Sequence, residues 1–299
     1  EKNGCLEIKD KRILPTDLSV SPYEMLDRMC AAAEELESAE NFDVIGISCG
    51  GPLDSRRGII LSPPNLPGWD EIRVVEYLEK RFGCRAYLQN DANACAVAEW
   101  KYGAGKGLNN VVFLTFGTGL GAGLILDGKL YSGATDTAGE VGHIRLGEYG
   151  PVGFGKSGSF EGFCSGGGIA NLGRIYAQEA FQSGKCVSYC KNAEYMPKIN
   201  AKEIAELAQG GDADAKRVFD ECGKKLGIGL SIIIDILNPD AIILGSIYLR
   251  CESLLKDAVL SVIEREALLQ PRTACKIVSA GLGEKLGDYA ALSIAAMNL

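Results

Sequence analysis

A glycine-rich stretch in the middle of the chain has the residue types that could bind a polyphosphate. Residues 113–123 are FLTFGTGLGAG, so Thr118, Gly119 and Gly121 follow a strand-like run. Because glycine lacks a Cβ, backbone N–H groups there can approach phosphate oxygens closely. The stretch is not a Walker motif, since no Gly-Lys-Ser/Thr follows, nor a dinucleotide turn, since the glycines lead into a strand. A glycine-rich hairpin chosen for its twist alone is the alternative.

A single aspartate in the segment LQNDAN is a candidate general base. Asp91 follows one predicted strand and precedes a predicted helix, where open α/β sheets present functional side chains. A carboxylate at this place could take the proton of a sugar hydroxyl during in-line attack on a γ-phosphate. The alternative is that Asp91 or Asn90 only caps the helix that begins at Ala92. The two roles are compatible.

The segment GEVGH, residues 139–143, contains the one histidine of the chain. A lone histidine is more often structural than catalytic. However, Glu140 and a second carboxylate, Glu161, are acceptors, and His143 can donate or accept, which suits vicinal sugar hydroxyls. Asn65, in PPNLPGW, could add a hydroxyl contact or could simply form a turn between prolines.

Strand-like and amphipathic helical runs alternate along the chain, which predicts an α/β fold with largely parallel sheets. The predicted strands are Phe42–Ser48, Cys84–Leu88, Asn110–Phe116, Ala122–Asp127, Lys129–Tyr131, Ala241–Leu244 and Cys275–Ser279. The predicted helices are Pro22–Glu40, Trp69–Phe82, Ala92–Trp100, Ile169–Ser183, Ala201–Gln209, Asp212–Leu237, Leu254–Leu268 and Gly287–Met297. The glycine-rich residues 133–168 are predicted to be irregular.

The chain is long enough for two domains, and a glycine-rich polar segment indicates where they meet. The short polar segment GAGKGLN, residues 103–109, suits a hinge between two lobes that close on a ligand. We therefore expect a smaller N-terminal α/β lobe at 1–105 and a larger C-terminal one at 106–286. A final helix, about 287–299, could pack back on the first lobe.

Composition excludes several classes of function. The net charge of -8 repels nucleic acid, and no basic stretch offsets it. No apolar run approaches the roughly 18 residues that span a bilayer, and the polar start does not resemble a signal peptide. Eleven irregularly spaced cysteines without a Cys-x-x-Cys pair indicate reduced thiols rather than disulfides. We expect a cytoplasmic protein with neither nucleic acid nor membrane as a partner.

Five motifs in order give the chain a resemblance to the ROK (repressor, open reading frame, kinase) family. They are CGGP at 49–52, NLPGW at 65–69, NDANA at 90–94, FGTGLGAG at 116–123 and GEVGH at 139–143. The resemblance implies a two-lobed actin-like (ribonuclease H-like) ATPase fold with a central cleft. It also implies a homodimeric sugar kinase that uses ATP and Mg²⁺ on a hexose or N-acetylhexosamine.

The resemblance also implies roles for individual residues. Asp91 is then the catalytic base. The sugar is surrounded by Gly51, Asn65, Asn90, Glu140, His143 and Glu161. Nucleotide binding falls to Thr118, Gly119 and Gly121 near the phosphates and to Gly245 and Ser246 near the adenosine.

One departure from the family pattern concerns zinc. The family usually places three cysteines after this histidine to hold a structural Zn²⁺, and here Val152, Phe154 and Ser159 stand in their places. One imidazole cannot make a four-ligand site, so we expect no bound zinc. Apolar packing of Val152 and Phe154 could fix the loop instead. Some N-acetylmannosamine kinases that resemble the family also lack these cysteines, which favours that substrate without deciding it.

A second departure concerns the Asp-x-Gly-Gly-Thr hairpin with which kinases of this fold begin. No such motif precedes the run CLEIK at residues 5–9. Either residues are missing before Glu1, which we favour because an open sheet edge would otherwise result, or the protein lacks half of its phosphate clamp. A ROK-type sugar-sensing regulator core and a catalytically inactive sugar-binding protein are therefore the competing interpretations.

Overall fold

The computed structural model describes residues 6–36 and 42–299. The first helix, α1, spans Pro22–Glu34, with Ser21 as its N-cap and Pro22 at its first position. The predicted helix ran on to Glu40, but the helix ends earlier, and residues 37–41 lie outside the described part of the chain. Met25 and Leu26 of α1 are buried against the core of the N-terminal lobe.

The N-terminal lobe is built on two parallel strands, β1 (Val44–Cys49) and β4 (Arg85–Asn90). Between them come a short hairpin, β2 (Leu53–Asp54) with β3 (Ile59–Ile60), and helix α2 (Val74–Phe82). The helix starts later than predicted because Trp69 belongs to the preceding turn, where its N–H donates to Leu66 O at 3.2 Å.

The C-terminal lobe contains a five-stranded sheet in the order β11-β10-β5-β6-β7. Strands β5, β10 and β11 are parallel, while β5, β6 and β7 form an antiparallel meander. Their bounds are β5 Val111–Phe116, β6 Leu120–Leu126, β7 Lys129–Leu130, β10 Ala241–Leu244 and β11 Lys276–Ser279. A two-residue hairpin, β8 (Val152–Gly153) with β9 (Lys156–Ser157), lies apart from this sheet.

Helices of the C-terminal lobe cover this sheet and enclose the largest core. They are α4 (Phe160–Phe163), α5 (Gly166–Gln182), α6 (Ala201–Gln209), α7 (Ala213–Leu237), α8 (Ile247–Glu266) and α9 (Leu269–Ala274). Among residues 6–36 and 42–299, no helix has the length and apolarity that crossing a bilayer requires.

Helices α3 (Asp91–Tyr102) and α10 (Leu286–Met297) lie between the two sheets. Gly46 permits close contact of β1 with α10, because a Cβ there would lie 2.0 Å from Ala291 O. Gly123 does the same for β6 and α3, since a Cβ would lie 2.5 Å from Ala96 Cβ. The final helix therefore packs against a strand of the N-terminal lobe.

A buried carboxylate accepts hydrogen bonds from both segments in which the chain crosses between the lobes. Glu99 of α3 is 0% exposed, and its carboxylate accepts hydrogen bonds from Ala104 N at 2.8 Å, Gly281 N at 3.0 Å and Leu282 N at 2.9 Å. Ala104 lies in the predicted hinge segment, and the other two lie near the start of α10. Both crossings are therefore held at one side chain.

Candidate active site

The first turn of α3 carries the candidate base. Asn90 is the N-cap, and its Oδ1 accepts from Ala92 N at 2.9 Å, so the capping alternative applies to this residue. Asp91 occupies the first helical position and is exposed to solvent at the end of β4. Gly51 faces the cap, because a Cβ on it would lie 3.4 Å from Asn90 Nδ2. Asp91 Oδ1 also accepts from Ala92 N at 2.8 Å, so the carboxylate shares in the cap while remaining exposed to solvent.

The glycine turn lies beside this helix start. Gly117 N donates to Gly119 O at 3.1 Å, which closes the turn between β5 and β6. A Cβ on Gly121 would lie 3.9 Å from Ala92 Cβ, and one on Gly123 would lie 2.4 Å from Ala92 O. Residue 91 is thus next to a residue that contacts β6. Gly123 of β6 therefore serves the packing of α3, whereas Gly121 has room for a side chain on the helix side.

Glu140 lies within electrostatic reach of three other candidate residues, Glu161, Asp91 and His143. Partial burial, together with the charges of Glu161 and Asp91, raises the pKa of Glu140, while His143 opposes that shift. Glu161 also touches the glycine turn, because its Oε2 accepts from Leu120 N at 3.0 Å. The structure therefore brings Asp91, His143 and Glu161 within electrostatic reach of Glu140, and Glu161 into contact with the turn.

Two thiols near Asp91 are kept protonated. Burial and then the charge of Asp91 raise the pKa of Cys49 to about 11. Burial, followed by Asp91 and Glu99, raises the pKa of Cys95 to about 12. Neither thiol is a nucleophile at neutral pH, because the thiolate is the reactive form.

Asn65 has fewer contacts with the other candidate sugar-binding residues than they have with one another. It lies exposed in the turn at 63–69, where Leu66 N donates to Pro63 O at 2.9 Å. In the described part of the chain, no hydrogen bond links its side chain to another candidate residue. The turn-forming alternative agrees with this geometry.

The hairpin after His143 is held by polar contacts. Lys156 Nζ donates to His143 O at 2.6 Å, and Arg145 donates to Ser157 O at 2.7 Å. Val152 and Phe154 are 54% and 77% exposed, so apolar burial does not fix the loop, contrary to the hypothesis from the sequence. Phe154 has one ring contact, edge-on to His143 with centroids 6.5 Å apart.

The residues at the family's zinc position do not fit a zinc ion. Val152 and Phe154 have no ligating atom, and Ser159 is buried with its Oγ accepting from Gly162 N at 3.1 Å. Within residues 6–36 and 42–299, no three His, Cys, Asp or Glu side chains are grouped to hold a metal.

A cavity of about 680 Å³ opens beside the glycine turn. Thr118 and Ser246, both candidates for nucleotide binding, line it together with Gly117 and Gly166. Ser246 has a positive φ of 49° and lies just before α8, next to Gly117. The size suits a nucleotide, since small-molecule sites are typically about 300–1,000 Å³.

Three further candidates for nucleotide binding lie outside the cavity wall. Gly119 faces Glu161, Gly121 faces Ala92, and Gly245 packs on Phe113, where a Cβ would lie 2.9 Å from the ring. The contact with the Phe113 ring explains why Gly245 has no side chain, whereas a Cβ on Gly121 would meet only ordinary van der Waals contacts.

Sequence reasoning missed two features of the site. Helix α5 begins at Gly166 rather than Ile169, and Gly166 N donates to Gly117 O at 2.8 Å, so a helix N-terminus meets the glycine turn. The signal was Ser165, which caps the helix through Gly168 N. Asp136 was also missed: it accepts from Ser55 N at 2.7 Å and Ser55 Oγ at 2.9 Å, joining the lobes.

Two lobes with α/β sheets, and a group of carboxylates beside the glycine turn, define a protein of the actin-like ATPase fold. Residues 7–297 match the ROK family, and the chain belongs to this family. A glucokinase from Thermotoga maritima is 30% identical over 223 residues, covering 74% of this chain and 69% of the relative.

Solved structures agree with this assignment. The ROK hexokinase of Thermus thermophilus has a TM-score of 0.78 at 28% identity, covering 95% of this chain and 89% of that one. The Streptomyces griseus ROK glucokinase, solved with glucose and AMPPNP, has a TM-score of 0.74 at 28% identity, covering 93% and 89%. A xylose repressor from Caldicellulosiruptor bescii is 30% identical over 203 residues, 68% of this chain, which spans 49% of the repressor.

Proposed function

We propose that this protein is an ATP-dependent sugar kinase that phosphorylates a hexose or an N-acetylhexosamine. The observation that carries the proposal is the contact between the first turn of α3 and β6, which sets Asp91 beside the glycine turn. A base and a phosphate-binding turn must be neighbours for in-line phosphoryl transfer. The kinases among its relatives support the same activity.

In this proposal the cleft residues divide the work of binding and proton transfer. Asp91 takes the proton of the attacking sugar hydroxyl, as a general base within hydrogen-bond reach. Glu140, His143 and Glu161 bind the other hydroxyls as acceptors and donors. Asn90, Gly51 and Asn65 complete the sugar side, with Asn65 reaching it from its exposed turn.

ATP would occupy the cavity lined by Thr118 and Ser246, with its phosphates toward the glycine turn. Gly119 and Gly121 contribute through the backbone of that turn, and Gly245 through its backbone just before Ser246. The N-terminus of α5 adds favourable electrostatics for an anion there. Mg²⁺, when bound with ATP, would neutralise phosphate charge.

The test is ADP release coupled to sugar phosphorylation, measured with glucose, N-acetylglucosamine, N-acetylmannosamine, mannose, fructose and allose. Asp91→Asn should lower kcat by about 10²- to 10⁴-fold and leave sugar affinity nearly unchanged. Asp257→Asn, at an exposed aspartate of α8, is the matched control and should keep full activity. Retained turnover in Asp91→Asn would remove the proposed base.

A sugar-sensing regulator is the second candidate, because repressors and a ROK transcriptional regulator are among the matches. The acidic net charge of -8 disfavours a role in contacting DNA. If calorimetry detects sugar binding but ATP yields no ADP in the presence of any of these sugars, the result would favour a sensor or an inactive binding module.

We also propose a homodimer that works in the cytoplasm. Three apolar side chains near the end of α7 and the start of α9, Ile236, Leu268 and Leu269, are mostly exposed. Asp235 fixes this segment by accepting from Leu268 N at 3.0 Å. Exposed apolar side chains that cluster are typical of subunit contacts. Light scattering should give twice the chain mass, and Leu268→Glu should give one chain mass.

A further inference from the structure

A buried side-chain amide lies two residues after the proposed base. Asn93, in the first turn of α3, is 1% exposed, whereas Asp91 is open to solvent. The Nδ2 atom of Asn93 donates to Gln89 Oε1 at 3.0 Å and lies 3.4 Å from Ser132 Oγ. Gln89, near the end of β4, is buried as well. The exposed carboxylate is therefore flanked by a buried pair of amides.

The backbone fixes which way this pair of amides points. Asn90 N donates to Gln89 Oε1 at 2.8 Å, so the carbonyl oxygen of Gln89, and not its nitrogen, faces this N–H. That oxygen can only accept, so the atom of Asn93 that faces it must be the Nδ2 donor. One oxygen of Gln89 thus holds a residue on each side of Asp91, the N-cap Asn90 and the buried Asn93.

The other atom of the Asn93 amide gains nothing from this arrangement. Its Oδ1 is buried, and in the part of the chain that the structure describes no group donates a hydrogen bond to it. A buried acceptor without a donor is destabilising, and such groups are expected where function requires them. A leucine of similar shape would avoid this cost, because Gln89 Oε1 would keep Asn90 N as its donor. Stability alone therefore does not account for Asn93.

The geometry at Asp91 depends on which side chain caps α3. Ala92 N donates to Asn90 Oδ1 at 2.9 Å and to Asp91 Oδ1 at 2.8 Å, so the two side chains compete for one donor. While Asn90 stays in the cap, the Asp91 carboxylate can still accept the proton of a sugar hydroxyl. Loss of Asn90 from the cap would draw that carboxylate onto the helix N-terminus, where anions are favoured. Gln89 holds Asn90 in place, and Asn93 in turn holds Gln89.

We propose that Asn93 is a positioning residue, which keeps the Asp91 carboxylate directed at the sugar by fixing Gln89 and, through it, the Asn90 cap. This inference rests on the proposed kinase function and concerns its proton-transfer step. Asn93 is buried and does not contact a substrate, so its effect belongs to kcat and not to either KM. A displacement of about 1 Å at a reacting group can cost about 10²-fold in rate.

The experiment measures the kinetics of the full chain with whichever sugar gives most turnover. Asn93→Leu should lower kcat by about 10- to 100-fold and leave the KM values for sugar and ATP within about twofold. Its midpoint of urea unfolding should equal or exceed that of the wild type, because the unpaired oxygen is removed. Ser293→Ala, which removes a buried side-chain donor from α10, is the matched control and should keep kcat within about twofold.

A double-mutant cycle tests whether Asn93 acts through Asp91. In Asp91→Asn, which lacks the base, adding Asn93→Leu should lower the remaining formation of sugar phosphate by less than about twofold, since no carboxylate is left to position. An equal loss in both backgrounds would assign Asn93 to the fold and overturn its positioning role. An unchanged kcat in Asn93→Leu, or a midpoint well below that of the wild type, would overturn it too. Absence of turnover in the wild type with every sugar would instead overturn the proposed kinase function, and this inference with it.

Discussion

Strands β1 and β10 are both parallel strands rich in isoleucine, yet they are covered very differently. All four residues of β10 are buried, and β5 and β11 pair with its two edges. All six residues of β1 are only half-buried, and within the described residues it pairs with β4 alone. Parallel strands are normally covered on both faces, so an apolar sequence does not by itself bury a strand. Neighbouring strands are needed as well.

The two lobes that carry these strands meet at Glu99, and its removal should have the largest effect on stability. Glu99→Ala would leave three buried N–H groups without their charged acceptor, at a cost of about 3–5 kcal/mol. Urea unfolding would measure it. Glu179→Gln, which alters an exposed pair with Arg217 at 3.4 Å, should cost under about 1 kcal/mol. A loss below about 1 kcal/mol in Glu99→Ala would contradict the role of Glu99 in holding the two lobes together.

Shortening one isoleucine in each strand tests the contrast between β1 and β10 directly. Ile243→Ala in β10 should lower the free energy of unfolding by about 3 kcal/mol, since the residue is fully buried. Ile47→Ala in β1 should cost about 1 kcal/mol, because that side chain is only partly buried. Chemical denaturation of both variants side by side gives the comparison. Equal losses would mean that β1 is covered as well as β10.

The glycines that let helices approach each sheet should, by contrast, behave alike. Gly46→Ala and Gly123→Ala would each force a Cβ into helix backbone, 2.0 Å from Ala291 O and 2.4 Å from Ala92 O. We expect each to cost about 2 kcal/mol. Gly287→Ala in α10 meets nothing within 4 Å and should stabilise by about 0.5 kcal/mol. Thermal unfolding would measure all three variants. An unchanged stability of Gly46→Ala would show that α10 can move away from β1 to admit the methyl group.

The smallest expected effect is the pH dependence contributed by Glu140 of the C-terminal lobe. Its pKa is raised above the ordinary 4.5, so the folded protein binds protons more tightly there than the unfolded chain. The contribution of Glu140 to stability is therefore lost as the pH rises from about 4.5 through the raised pKa of the folded protein. Glu140→Gln should gain stability relative to wild type near pH 7, by less than about 1 kcal/mol because the carboxylate is only partly buried and solvent screens its charge, and no gain should remain below pH 4. Urea midpoints at both pH values test this, and a gain of equal size at both would contradict the shift.

Local sequence signals predicted the regular elements well and the long-range contacts poorly. Helix α6 and strand β10 have the bounds that their periodicity predicted. Helix α8 starts at Ile247 rather than Leu254, because the positive φ of Ser246 and the kink at Cys251 leave no clear periodic signal. Asp91 was indicated by its place between a strand and a helix. Glu99 was not, since its partners at 281 and 282 are distant in sequence.

The hairpin at residues 150–158 has a consequence for how this protein depends on its surroundings. It is held by hydrogen bonds from Lys156 to His143 O and from Arg145 to Ser157 O. Both donors are cationic side chains that stay charged across the physiological pH range. Chelators and thiol oxidants, which dismantle thiolate–metal loops, have no target among these atoms. We therefore expect the histidine-bearing side of the cleft to keep its shape when trace-metal supply runs short.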